Sequence, residues 1–163
     1  MLSIRHLRKA LNVSCNGNDT MQSEINMKHK DNESDSLILK SGEGRIYSCG
    51  TMTAVFKADE NETASKYSIS EWWLEANSGG PGAHQHEDND EVFYGIQGTT
   101  SILVGDKWID VEKGTFLRIP SKTIHDFANR TGEKSGVLNF FIPGGFERNM
   151  PSIVKWFQDN PPN

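Results

Sequence analysis

Cysteine is scarce. Cys15 and Cys49 are the two in 163 residues, too few and too far apart for a stapled secreted domain. Both read as free thiols in a reducing compartment. No apolar run approaches a membrane span, and the first residues lack the continuous apolar stretch of a secretory signal. Lys and Arg nowhere form a dense cluster, and the net charge is −5 with a pI of about 5.5. A nucleic-acid partner needs a basic face that this chain does not offer. Helical periodicity is missing from the middle of the chain, which speaks against a parallel α/β sheet. There is no internal repeat.

What is present suits one domain with a core and an unpacked part, since hydrophobic residues make up 35% and charged residues 24%. Residues 1–36 are expected to be a flexible leader, and 37–163 the folded domain. Between Asn16 and Asp35 there is hardly an aliphatic side chain, so burial there cannot offset chain entropy. Met1 to Gly17 carries Arg5, Arg8 and Lys9 without an acid, with Ile4, Leu7 and Leu11 at helical spacing. An organelle transit peptide has that look, but the run is short and poor in Ser. The expectation is a short basic leader, or a true start at Met21 or Met27, on a cytoplasmic protein. His6 and His29 lie in this leader and receive no role.

Order is expected from Leu37-Ile38-Leu39 onward, as a series of short strands. They are Thr51–Lys57, Tyr67–Leu74, Glu91–Ile96, Thr99–Val104, Lys107–Val111, Thr115–Ile119, His125–Asn129 and Val137–Ile142. Each is rich in β-branched or aromatic residues and bounded by Gly, Pro, Asn or Asp. Gly105-Asp106 sits at hairpin distance between two of them, and Glu112-Lys113-Gly114 makes the next turn. The fold class is therefore all-β, an antiparallel sandwich or barrel. Met150 to Phe157 reads as one short helix with Pro151 near its start, stopped by Pro161-Pro162.

Three histidines and one glutamate carry the chemistry. His84 and His86 are two apart, so on a strand both imidazoles leave the same face. Glu91 follows past the acidic loop Glu87, Asp88 and Asp90, which reads as solvated. His125 lies far along the chain, and a closed sheet would bring all four together. Such a donor set suits one divalent transition metal (Fe, Mn, Ni, Co, Cu or Zn) better than Mg or Ca, and leaves positions open for a substrate. Alternation turns one ring of Trp72-Trp73 inward, where with Phe93 and Phe127 it would make an aromatic wall for a planar substrate, or else ordinary packing. Gly95 shares the parity of Glu91 and would either deepen the pocket or mark a bulge. Asn129 reads as a turn-stabilising amide.

These residues resemble the cupin superfamily, specifically its small single-domain members. The first motif runs to Gly98 through His84-x-His86 and Glu91, with Ser78 where a glycine is expected and Gly79 following. The second motif is met by Gly114, Pro120, His125 and Asn129, with Lys122 in place of its second glycine. Fifteen residues separate Gly98 from Gly114, as in compact microbial members. The resemblance implies a double-stranded β-helix, or jelly-roll barrel, holding a metal on His84, His86, Glu91 and His125. Glu91 is not always a ligand in this family and can instead serve as a base.

Similarity to quercetinase-like cupins implies a non-haem dioxygenase-like enzyme acting on a small aromatic or enolic molecule. A sugar-acid isomerase or lyase using the metal as Lewis acid is the second reading, weakened because Arg118 has outward parity. A non-catalytic sensor is the third, although the leader is too short and polar for a helix-turn-helix. Trp156-Phe157 is expected to cover an edge or to join a partner in a homodimer.

Overall fold

The computed structural model describes residues 36–161. The expectations for the leader, namely its flexibility, the transit-peptide pattern, the alternative starts and Cys15, lie outside the described residues. No helix among the described residues is long and apolar enough to cross a membrane.

Nine strands form two antiparallel sheets among the described residues. The strands are β1 Arg45–Cys49, β2 Met52–Ala58, β3 Ser68–Leu74, β4 Asp90–Gln97 and β5 Thr99–Val104, followed by β6 Lys107–Glu112, β7 Phe116–Ile119, β8 His125–Ala128 and β9 Ser135–Ile142. One sheet has the order β1-β2-β3-β9-β4-β7 and the other β6-β5-β8. The expected all-β class and barrel are present. Strand β3 shows why: Ser68, Ser70, Trp72 and Leu74 are buried, while Ile69, Glu71 and Trp73 are half-exposed. That period of two gives the sheet one inner face. Met52, Phe56, Phe93, Ile102, Val111, Ile119 and Val137 fill the space between the sheets with almost no exposed surface. Burying each of the larger ones contributes about 1.5–3 kcal/mol.

Leu37, Ile38 and Leu39 belong to no strand and are exposed. Three other features differ from the sequence reading. The first strand is β1, whose residues are mostly exposed at a sheet edge and lack a clear apolar signal. A four-residue helix, α1 (Glu60–Thr63), interrupts the strands, opening with Asp59 N–H donating to Glu62 Oε2 at 2.9 Å. Most relevant to function, His84 and His86 do not lie on a strand. They lie in the extended segment between β3 and β4, held by a single bridge to His125. The glycines and Pro81 just before them interrupt any longer ladder.

The C-terminal helix, α2 (Met150–Asp159), forms where expected, with Pro151 in its first turn. Ile153, Val154 and Phe157 pack on the core, whereas Trp156 stays 52% exposed. Two polar clusters fix how this end meets the barrel. Buried Asp59 accepts hydrogen bonds from Ser68 Oγ at 2.5 Å, Gly145 N at 2.6 Å and Glu147 N at 2.7 Å. Beside it, Glu147 accepts from Arg45 at 2.6 Å and from the Tyr47 hydroxyl at 2.8 Å. Paired charge-assisted bonds of this kind are the strong ones, so the approach to α2 is held firmly.

Candidate metal centre

The ligand atoms of His84, His86, Glu91 and His125 all lie within 4.8 Å of one another. They come from three places. Glu91 enters from β4, between Phe141 of β9 and Ile119 of β7. His125 enters from the opposing sheet, on β8 beside Val104 of β5. His84 is clipped to His125 by reciprocal backbone bonds, N to O, of 2.9 and 2.8 Å. His86 is placed by its carbonyl, which accepts from Lys122 N at 2.7 Å. A close approach makes this crossing possible: a Cβ on Gly80 would lie 1.8 Å from the Phe127 carbonyl oxygen.

Hydrogen bonds also set which ring nitrogens are free. His84 Nδ1 and His125 Nδ1 each lie 2.8 Å from a backbone carbonyl oxygen, Gly82 and Thr123 respectively. A carbonyl only accepts, so each Nδ1 donates and each neutral ring keeps its lone pair on Nε2. His125 Nε2 is 2.7 Å from Glu91 Oε2, and His86 Nε2 is 3.5 Å from the same oxygen. None of these three buried atoms has a partner in hydrogen-bond geometry. Such a cluster could hold a cation, and a transition metal on Nε2 and carboxylate oxygen suits it. The donor set thus fits the metal that the sequence implies.

Burial opposes ionisation of Glu91, but His125 and His86 outweigh it and hold the carboxyl below its ordinary value. Burial lowers the pKa of His84. For His125 burial pulls the same way, and the adjacent Glu91 carboxylate reverses it, giving a net upward shift. Glu91 Oε1 is satisfied separately, by Asn139 Nδ2 at 2.8 Å.

His84, His86 and Glu91 line a cavity of about 310 Å³. Met52, Trp72, Phe127 and Phe141 form its walls, and Phe146, Ile153 and Phe157 close it from the C-terminal side. Trp72 meets Phe127 edge to face at 5.4 Å. The other two aromatics expected at the substrate site are not brought to it. Phe93 is fully buried behind Phe127, their centroids 5.9 Å apart. Trp73 is on the opposite face of β3, its ring lying over Gly136 and its indole N–H donating to Glu71. Gly95 does not open the pocket: the register of β4 shifts beside it, and a Cβ there would lie 2.0 Å from the Glu112 carbonyl oxygen. Asn129 is a structural amide that donates to the Leu74, Glu75 and Glu133 carbonyls.

Several site residues have no counterpart among the expectations. Asn139 is one, and its signal was a polar side chain at the buried parity of Val137 and Phe141. Phe141, Phe146 and Ile153 are others, and nothing local in the sequence points them at the cavity. No Lys or Arg among the described residues lines the cavity. Arg118 points outward, as its parity implied, and pairs with Asp90.

Residues 71–141 match the cupin domain family. A quercetin 2,3-dioxygenase of Bacillus subtilis is 25% identical over 115 residues, or 68% of this chain and 32% of its own. The chain therefore spans about a third of that relative's length. Solved structures with the same fold include KdgF from Halomonas sp. (TM-score 0.58, 17% identity, 67% of this chain and 94% of that one). A predicted oxalate decarboxylase from Thermotoga maritima has a TM-score of 0.59 and 18% identity, covering 65% of this chain and 98% of that one. The barrel matches the cupin domain over residues 71–141, and the chain is similar to small cupins and to quercetinase-like proteins.

Proposed function

We propose that this chain is a metal-dependent, dioxygenase-like enzyme acting on a small aromatic or enolic molecule. The observation that carries the reading is a set of convergent, otherwise unpartnered ligand atoms at the end of a cavity walled by aromatic rings. His84, His86 and His125 would hold the ion through Nε2, with Glu91 as fourth ligand or as base. When bound, the metal supplies a Lewis-acidic position for a substrate oxygen and access to one-electron chemistry. The protein's own part is orientation and exclusion of water. Trp72 and Phe127 present faces and edges to a planar ring, and Phe141, Ile153 and Phe157 keep the surroundings dry. Glu91 is a carboxylate at neutral pH and stands beside the ligand point, where it can take the proton of an enol hydroxyl.

The absence of cationic side chains from the cavity lining disfavours a sugar acid, whose carboxylate would need one. A cytoplasmic homodimer belongs to the same proposal, with exposed Trp156 as a contact, and light scattering on a sizing column tests the dimer. The function itself is tested by elemental analysis of the purified chain beside a His84→Ala/His125→Ala variant, followed by oxygen uptake on a panel of enols and catechols. The expected result is one Fe, Mn, Co, Ni, Cu or Zn per chain, lost in the variant, with metal-dependent oxygen uptake on at least one substrate. A metal-replete protein that consumes no oxygen on any of them, yet binds them, reverts the reading to a sensor.

A further inference from the structure

A second cavity, of about 270 Å³, lies against the first. Its lining differs in character. Asn89, Arg148 and the backbone of Pro143, Gly144 and Gly145 make it polar, where the ligand-bearing cavity is apolar. The two cavities have His86, Phe146 and Asn149 in common. Asn149 is exposed, and His86 is committed to the ligand cluster, which leaves Phe146 as the partition.

The Phe146 ring is held rigidly. It stacks on Phe141 at 4.0 Å with the planes 10° apart, and stands edge-on to His86 at 5.8 Å. Its backbone is pinned on both sides, because the Asp59 carboxylate accepts from Gly145 N and from Glu147 N. A side chain clamped at its neighbours and stacked on a strand residue is a wall, not a flap. The wall also lies outside residues 71–141, the part that matches the family. It belongs to the segment between β9 and α2.

We propose that Phe146 is the specificity-determining residue of the site, limiting it to neutral planar substrates that fit the apolar chamber alone. This rests on the reading of that chamber as a substrate site. The chamber's volume is at the small end of ligand pockets, which run from about 300 to 1,000 Å³. Shortening Phe146 joins it to the polar chamber, where the Asn89 side-chain oxygen, the glycine backbone and Arg148, which also pairs with Glu60, can solvate a neutral polar arm such as a sugar, the Asn89 Nδ2 being held by the Pro143 carbonyl. Such an arm is rejected while the ring is in place.

The test uses the full chain loaded with Zn²⁺, which does no redox chemistry, and isothermal titration with two probes, a vicinal naphthalene diol and a flavonol glucoside. Wild type is expected to bind the diol and to bind the glucoside at least about tenfold more weakly. Phe146→Ala is expected to raise the ratio of glucoside to diol affinity about tenfold, whatever it costs the diol itself. Phe146→Leu, which keeps more of the packing on Phe141, is expected between the two, and thermal melts of the same samples report folding. Equal binding of both probes by wild type overturns the proposal, as does a parallel loss of both in folded variants. Failure of both probes to bind any of the three proteins removes the substrate-site reading and the proposal with it, whereas failure of the glucoside alone in every variant overturns only the proposal. The size switch without oxygen uptake leaves the proposal standing and removes the dioxygenase reading alone.

Discussion

Asn139 donates its Nδ2 to Glu91 Oε1 at 2.8 Å, from one strand to the next, with both side chains buried. One carboxylate oxygen is thereby occupied, and the other is left facing His125 and His86. Partners that orient a ligand in this way typically control metal affinity by roughly 10- to 100-fold. Asn139→Leu keeps the volume and removes the donor. Its metal dissociation constant is expected to rise by about that factor, measured by competition with a chromophoric chelator. An unchanged constant would mean that Glu91 is oriented by packing alone, or lies outside the coordination sphere.

Much of this centre was legible in the sequence, for identifiable reasons. The strands alternate or run apolar between turn residues, and the ligands fall at spacings that survive folding even where the local structure differs. His84 and His86 illustrate this: no ladder extends through them, yet extended backbone still sends both rings the same way, with Gln85 between them exposed. The cavity's far side was not legible. Phe146, Ile153 and Phe157 reach it because Asp59 and Arg45, some ninety to a hundred residues earlier, bind the segment before α2. Local periodicity carries no trace of such long-range polar ties. Trp72 and Trp73 were separable only by register, since adjacent strand residues are interchangeable until a partner fixes the face.

Lys122 replaces the glycine of the second motif and pays for it with φ of +64°, in the left-handed region. That conformation costs a non-glycine residue about 1–2 kcal/mol. The Lys122 side chain is exposed, and its backbone N–H donates to the His86 carbonyl whatever the side chain. Lys122→Gly is expected to stabilise the fold by about 0.5–1 kcal/mol after the greater unfolded-state entropy of glycine is subtracted. That corresponds to a rise of about 2–4 °C in melting temperature, read by calorimetry. A fall would show that the turn is unstrained.

Gly80 offers the opposite case. A Cβ there would lie 1.8 Å from the Phe127 carbonyl oxygen and 2.6 Å from Asp126 Oδ1, and the first of these is backbone that cannot swing aside. Gly80→Ala is expected to push the segment carrying His84 away from β8, so that metal binding falls together with stability. Gly79→Ala is the control, since nothing lies within 4 Å of a Cβ at that position. Chelator competition and thermal melts on both variants test the pair. Equal behaviour of the two would show that the segment is not held against β8.

Cys49 is fully buried beside Met52, and burial pushes its thiol pKa up from 9.0 to about 11. The neutral thiol is therefore the folded state's form through neutral pH. Because the folded value is the higher one, the associated stability is complete below pH 9.0 and is lost as pH rises from there through about 11. Iodoacetamide at pH 8 is expected to leave Cys49 unmodified in the folded chain and to alkylate it in urea, as read by peptide mass mapping, which separates it from Cys15. Over the alkaline range, Cys49→Ala is expected to start less stable, because it leaves a small cavity, but to lose less melting temperature than wild type. Parallel alkaline losses in the two proteins would assign the pH dependence to other groups and leave the thiol a mere packing atom.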